Sequence, residues 1–122
     1  MSTARRMSIA APKLTVARSR LHGRGVFTTS SVRSGEVLER CHLLLIPIEE
    51  VHDGSLLGAY VFEHSKRFYA LALGSGSMYN HAPAPNAEVE MDSVGKTLTV
   101  SAVADIPAGV EVTIDYGPEY WL

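Results

Sequence analysis

One cysteine, Cys41, in 122 residues leaves no partner for an internal disulfide and no set of thiolates for a structural zinc cluster. Charge of one sign is equally scarce. Eleven Lys and Arg against thirteen Asp and Glu give a formal net charge of -2, so no bulk basic footprint for nucleic acid or an anionic membrane is present. No segment approaches the roughly 20 apolar residues of a membrane helix. The apolar patch from Met7 to Ala11 is interrupted by Ser8 and stopped by Pro12, too short a run for a secretory signal. These absences predict a flexible tail over 1–13, one domain over 14–122, and a reducing compartment, cytoplasmic or nuclear. Repeats and low-complexity blocks are also lacking, while 46% hydrophobic residues suffice for a single core.

What is present reads as short strands joined by turns. Leu14 to Ala17 alternates as a strand and leads through His22 to Gly23-Arg24-Gly25, two glycines that mark a tight backbone feature before the apolar Val26-Phe27. Gly-x-Gly serves a hairpin or a bulge as readily as a ligand loop, and the third glycine of a dinucleotide fingerprint is missing. Ser34-Gly35 is a turn, and Glu36 opens the next strand. Cys41 to Ile48 is the most apolar run of the chain, expected as a buried or interface strand. His42 beside it is assigned no role. Asp53-Gly54 is a turn signal, and Gly58 to Phe62 reads as strand or helix. Arg67 to Leu73 is a strand; Glu88 to Val100 is a hairpin with its tip at Ser93–Lys96. After the turn Asp105–Gly109, Glu111 to Tyr116 alternates as a strand. Aromatic residues crowd the last positions, which predicts a docked C-terminus.

The stretch from Gly74 to Asn86 is the centre of the chain's chemistry. It holds Asn80-His81 and a second Asn, with prolines at 83 and 85 and two glycines that argue against regular structure there. It is read as a ligand-facing loop, with a plain surface turn as the alternative.

Gly23-Arg24-Gly25, then Asn80-His81 with Pro85-Asn86, then Glu111-Val-Thr-Ile-Asp115-Tyr116, with Pro107-x-Gly109 before the last, form an ordered succession. In this the sequence resembles the SET-domain protein lysine methyltransferases over about Leu14 to Trp121, and among them the minimal viral type that stops at a Tyr-Trp pair without flanking zinc modules. The resemblance implies a mostly β fold of the β-clip kind with a C-terminal pseudoknot, S-adenosylmethionine on one face and a lysine side chain of a protein, such as a histone, entering from the other. By motif position, Gly23, Arg24 and Gly25 would line the cofactor through main-chain groups, Asn80 and His81 would hold it, and Trp121 would cover the adenine. Tyr116 would stand at the transfer point between cofactor and lysine. Tyr60, Tyr79 and Tyr120 would wall the lysine channel. The family commonly has Ser-Cys after Asn-His, where Ala82 and Pro83 stand here.

Glu111 and Asp115, a strand period apart, are expected to hydrogen-bond backbone rather than act as a catalytic pair. No metal site is expected, since none of the five histidines lies at ligand spacing. The missing flanking modules suggest a homodimer in which one subunit closes the other's groove. The competing reading is a β-clip module that binds without turnover.

Overall fold

In the computed structural model, which describes residues 13–92, 94 and 96–116, the chain forms nine strands in two sheets and no α-helix among the described residues. β1 (Leu14–Arg18), β2 (Arg24–Thr28), β9 (Glu111–Ile114) and β6 (Asn80–His81) make a four-stranded sheet in the order β1-β2-β9-β6. β4 (Val61–Glu63), β5 (Phe68–Ala72), β3 (Val37–Pro47), β8 (Thr97–Ala102) and β7 (Ala87–Asp92) make a five-stranded sheet in the order β4-β5-β3-β8-β7. All pairings are antiparallel except β6 with β9.

The strands follow from side-chain alternation. In β8 Leu98, Val100 and Ala102 turn into the core while Thr97, Thr99 and Ser101 lie at its margin, the period of two that burying one face demands. Val26, Val112 and Ile114 from the smaller sheet meet Cys41, Leu43, Ala70, Ala72, Leu98 and Val100 from the larger in one core. Outside the strands, Val32 and Ile106 exchange backbone hydrogen bonds and bury both side chains.

Three expectations are revised. Of the run Cys41 to Ile48, all but Ile48, which opens a 3-10 turn, belongs to the longer β3, and the run is not buried along its length. Cys41 and Leu43 face the core, whereas His42 is exposed and Leu44 is 52% exposed, because β3 lies inside a sheet with one covered face. Gly58 to Phe62 divides into a 3-10 turn, Leu57–Ala59, and strand β4. The Gly74–Asn86 segment is not wholly irregular. Asn80 and His81 pair in parallel with Thr113 and Ile114, and Ala82 N–H continues the ladder to Ile114 C=O. The prolines begin only at Pro83, one residue beyond, so no ladder donor is lost where the pairing occurs.

Asn86 finishes the clasp on β9. Its amide donates to Glu111 C=O at 2.9 Å and its Oδ1 accepts from Thr113 N–H at 2.8 Å, so one side chain replaces a stretch of strand. No helix among the described residues is long and apolar enough to cross a membrane.

Candidate active site

β1 and β2 are joined by a hairpin loop, Ser19 to Gly23, in which Gly23 sits at φ 48° and its C=O accepts from Ser19 N–H at 2.8 Å. Ser19 is the hub of that loop. Its Oγ accepts from Leu21 N–H at 2.9 Å and donates to the Glu111 carboxylate at 2.8 Å. The same carboxylate accepts from Asn80 Nδ2 at 2.8 Å, and that amide also donates to the carbonyls of His22 (3.0 Å) and Arg24 (3.1 Å). Two amide hydrogens thus serve three acceptors, and the hairpin loop is tied to β6 and β9 together. Glu111 therefore bonds side chains, not backbone as expected, because its carboxylate lies over Gly25 within reach of Ser19 Oγ and Asn80 Nδ2. At Gly25 a Cβ would lie 2.1 Å from Glu111 Oε2 and 2.9 Å from Asn80 Nδ2, so only glycine admits this bridge.

On the far side of β6, His81 and Tyr116 meet with ring centroids 5.3 Å apart and planes tilted by 52°. Tyr116 N–H donates to His81 Nδ1 at 3.0 Å, which places the ring proton of a neutral His81 on Nε2. Asp115 Oδ1, at 3.7 Å from the same nitrogen, stands beyond hydrogen-bond range of it. The Tyr116 hydroxyl donates to Tyr79 C=O at 2.7 Å. Tyr79 is itself buried, 2% exposed, and its hydroxyl donates to Glu39 Oε1 at 2.5 Å. Burial, and then the hydrogen bond to Glu39, push the Tyr79 phenol far above its ordinary range, so it remains a donor at any working pH.

Two clefts open around this centre. One, about 390 Å³, is lined by Leu21, His22 and Gly23 of the hairpin loop, by Arg24 at the start of β2 and by Met78, Asn80 and His81. The other, about 450 Å³, is lined by Val61, Phe62, Glu63 and Met91. Ala59, Tyr60, Ser77, Tyr79 and Tyr116 line both. Each has the size of a small-molecule site, and the two are in contact through a shared wall of three tyrosines.

With this geometry in place, comparison with known proteins is decisive: the SET-domain profile matches residues 23–117. The chain belongs to the SET-domain family. It is 29% identical over 102 residues, 81% of this chain and 69% of the relative, to the histone-lysine N-methyltransferase of Schizosaccharomyces pombe that is specific for H3 lysine-37. It also superposes with a TM-score of 0.78, at 32% identity, on a crystal structure from Plasmodium falciparum assigned as a histone methyltransferase, over 93% of this chain and all of that one. The expected mostly β SET fold is thereby established. Neither relative is the minimal viral protein, and that finer likeness stays an expectation.

Within the SET domain, the residues singled out from sequence are brought together in large part. Gly23, Arg24, Asn80, His81, Tyr60, Tyr79 and Tyr116 all line the first cleft, and Gly25 lies directly beneath it against Asn80. Tyr120 and Trp121 lie outside the described residues. Ser19, Glu39, Phe62 and Met91 were not singled out. For Glu39 a signal existed: it shares the strand period, and so the inward face, with Cys41 and Leu43, which is no ordinary place for a carboxylate. Nothing in the sequence marks Ser19, whose partner is 92 residues away.

Proposed function

We propose that this SET domain is a protein-lysine N-methyltransferase that uses S-adenosylmethionine and acts on a lysine of a protein such as a histone. The observation that carries the proposal is the pair of clefts meeting at Tyr116, Tyr79 and Tyr60. Methyl transfer needs donor and acceptor to approach in line from opposite sides, which is a matter of positioning more than of acid or base chemistry.

The first cleft fits S-adenosylmethionine in size, and in the open main chain of its hairpin loop, where Gly23 has no side chain to obstruct a ligand. Gly23, Arg24, Asn80 and His81 would hold it, with Asn80 acting chiefly by fixing the loop, since its amide hydrogens are engaged by His22, Arg24 and Glu111. When bound, the cofactor supplies an activated methyl group on a sulfonium. The second cleft would admit the lysine. Exposed Glu63 would attract the ammonium to this cleft, and its apolar lining of Val61, Phe62 and Met91 would disfavour the charged form there, favouring a neutral amine. Tyr116 has committed its hydroxyl proton to Tyr79 C=O, so its oxygen acts as an acceptor for an amine N–H and aims the nitrogen lone pair.

The test is calorimetric titration with S-adenosylmethionine, followed by transfer of labelled methyl to histone peptides and to lysine-free counterparts. Stoichiometric binding with label confined to lysine peptides is expected. Binding without transfer returns the non-catalytic β-clip module, and no binding overturns the assignment.

A homodimer is part of the same proposal. Leu44 on β3 and Leu73, just past the end of the adjoining β5, are both about half exposed, an apolar surface a second copy would cover. A monomer mass by light scattering at micromolar protein, with full activity, disposes of it.

A further inference from the structure

We infer that Glu39 is a positioning residue for methyl transfer, acting on Tyr116 through Tyr79 from beneath the site. The inference rests on the proposed methyltransferase function for its rate arm, but its geometry stands independently.

Glu39 touches neither cleft. It is placed by strand period. Glu39 continues the inward row of Cys41 and Leu43, directly after the point where β3 shifts register against β8 between Val37 and Glu39. There its Oε1 accepts the Tyr79 hydroxyl proton at 2.5 Å, and its Oε2 lies 3.4 Å from Ser75 N–H. The 74–77 turn is pressed onto β3 at the same point. A Cβ on Gly76 would fall 2.8 Å from Cys41 Sγ and 2.6 Å from Ala72 Cβ, so this turn cannot lift or carry a larger residue without parting from the strand. Ser77 Oγ, bonded to Ala72 C=O at 2.8 Å, closes the turn just before Tyr79.

The arrangement fixes Tyr79 at two ends of one residue. Its hydroxyl is held by Glu39 and its carbonyl receives the Tyr116 hydroxyl. That carbonyl sets the direction of the Tyr116 O–H, and so the direction in which the oxygen can accept a hydrogen bond from an amine. Releasing the Tyr79 ring from Glu39 lets residue 79 rotate and takes the carbonyl with it. Glu39 is a half-buried carboxylate whose shortest hydrogen bond comes from a buried phenol, a partial loss of hydration that stability alone does not require. Its effect is reproducible placement of the transfer residue, where small displacements reduce rate strongly.

The experiment uses Glu39→Gln, Glu39→Leu, Tyr79→Phe and the double variant Glu39→Leu/Tyr79→Phe, with Tyr69→Phe as control. Two readouts are taken: single-turnover transfer to a histone peptide at saturating S-adenosylmethionine, and the ring resonances of Tyr116 in protein carrying [13C]tyrosine, assigned with Tyr116→Phe. Glu39→Gln keeps an acceptor oxygen and is expected within about threefold of the parent rate. Tyr79→Phe and Glu39→Leu are each expected about tenfold slower, with the Tyr116 resonance displaced and cofactor affinity within twofold. The double variant should be no slower than the slower single one, because both changes cut the same link. Penalties that multiply, or a Tyr116 resonance unmoved in Tyr79→Phe, overturn the inference. Glu39→Gln and Tyr79→Phe are isosteric and decide it even where Glu39→Leu does not fold. A parent protein that transfers no methyl group, while its Tyr116 resonance still follows residue 39, overturns the functional proposal and the rate arm with it, and leaves the Glu39–Tyr79–Tyr116 link standing.

Discussion

Tyr116 carries two separable interactions, and a single oxygen carries both. Its hydroxyl donates to Tyr79 C=O, and in the proposed reaction the same oxygen receives the substrate amine. Tyr116→Phe should therefore keep the fold and hold cofactor affinity within a few-fold, since the ring contact with His81 survives. Turnover should fall on the order of a hundredfold, about 2.7 kcal/mol, as loss of one well-placed polar group at a transfer point typically gives. Single-turnover methylation checks this, with Tyr69→Phe as the reference. Tyr79→Phe cannot serve as that reference, because the Tyr79 hydroxyl is bound to Glu39. The sequence made Tyr116 legible through its motif, and Gly23, Asn80 and His81 likewise. It did not reveal that the Asn80 side chain is spent on the hairpin loop, because the three acceptors lie 31 to 58 residues away and no local pattern records a contact at that range.

At the scale of elements, the clasp between the β1–β2 hairpin, β6 and β9 is the feature that forms the first cleft. Gly25→Ala tests it directly. The added Cβ would drive into Glu111 Oε2, an atom that Ser19 and Asn80 already hold, so the carboxylate must leave both partners. Destabilisation of about 1–3 kcal/mol is expected from the overpacking, read as a lower denaturant midpoint. Cofactor affinity should fall tenfold or more with it. Unchanged binding in a folded Gly25→Ala protein would show that the loop does not need the bridge. Strand positions were largely readable, since β1, β5, β7, β8 and β9 each show period-two alternation or strand-rich composition. β6 was not. Two residues are too few for a period, and its prolines and glycines suggested irregular chain; only pairing with β9, a tertiary event, makes it a strand.

For the molecule as a whole, two sealed ionisable groups contribute to its response to alkali. Burial, then the nearby Glu39 carboxylate, push the Cys41 thiol from 9.0 up to about 12, and the Tyr79 phenol moves upward from 10.0 for the same reasons. Both groups keep their protons in the fold and release them more readily once unfolded. Their contribution to stability is therefore full below about pH 9 and declines as pH rises from there towards 12. Each unit of separation between folded and unfolded values is worth about 1.4 kcal/mol at most. Urea midpoints measured from pH 8 to pH 10.5 should fall, and Cys41→Ala should flatten part of that slope; a level profile in the parent contradicts it.

The bond from Ser19 to Glu111 closes a span of 92 residues. A nascent chain leaving the ribosome has made the Gly-x-Gly hairpin long before the strand that anchors it exists, so the hairpin must wait without its final partner. Contacts of such separation are the slow ones to form, because the entropy of closing the intervening chain is lost before the contact returns anything. The ligand cleft is accordingly among the last parts of this protein to come into being during synthesis. Until then Ser19 and Asn80 lack the carboxylate that joins them, and the hairpin loop is not yet tied to β9.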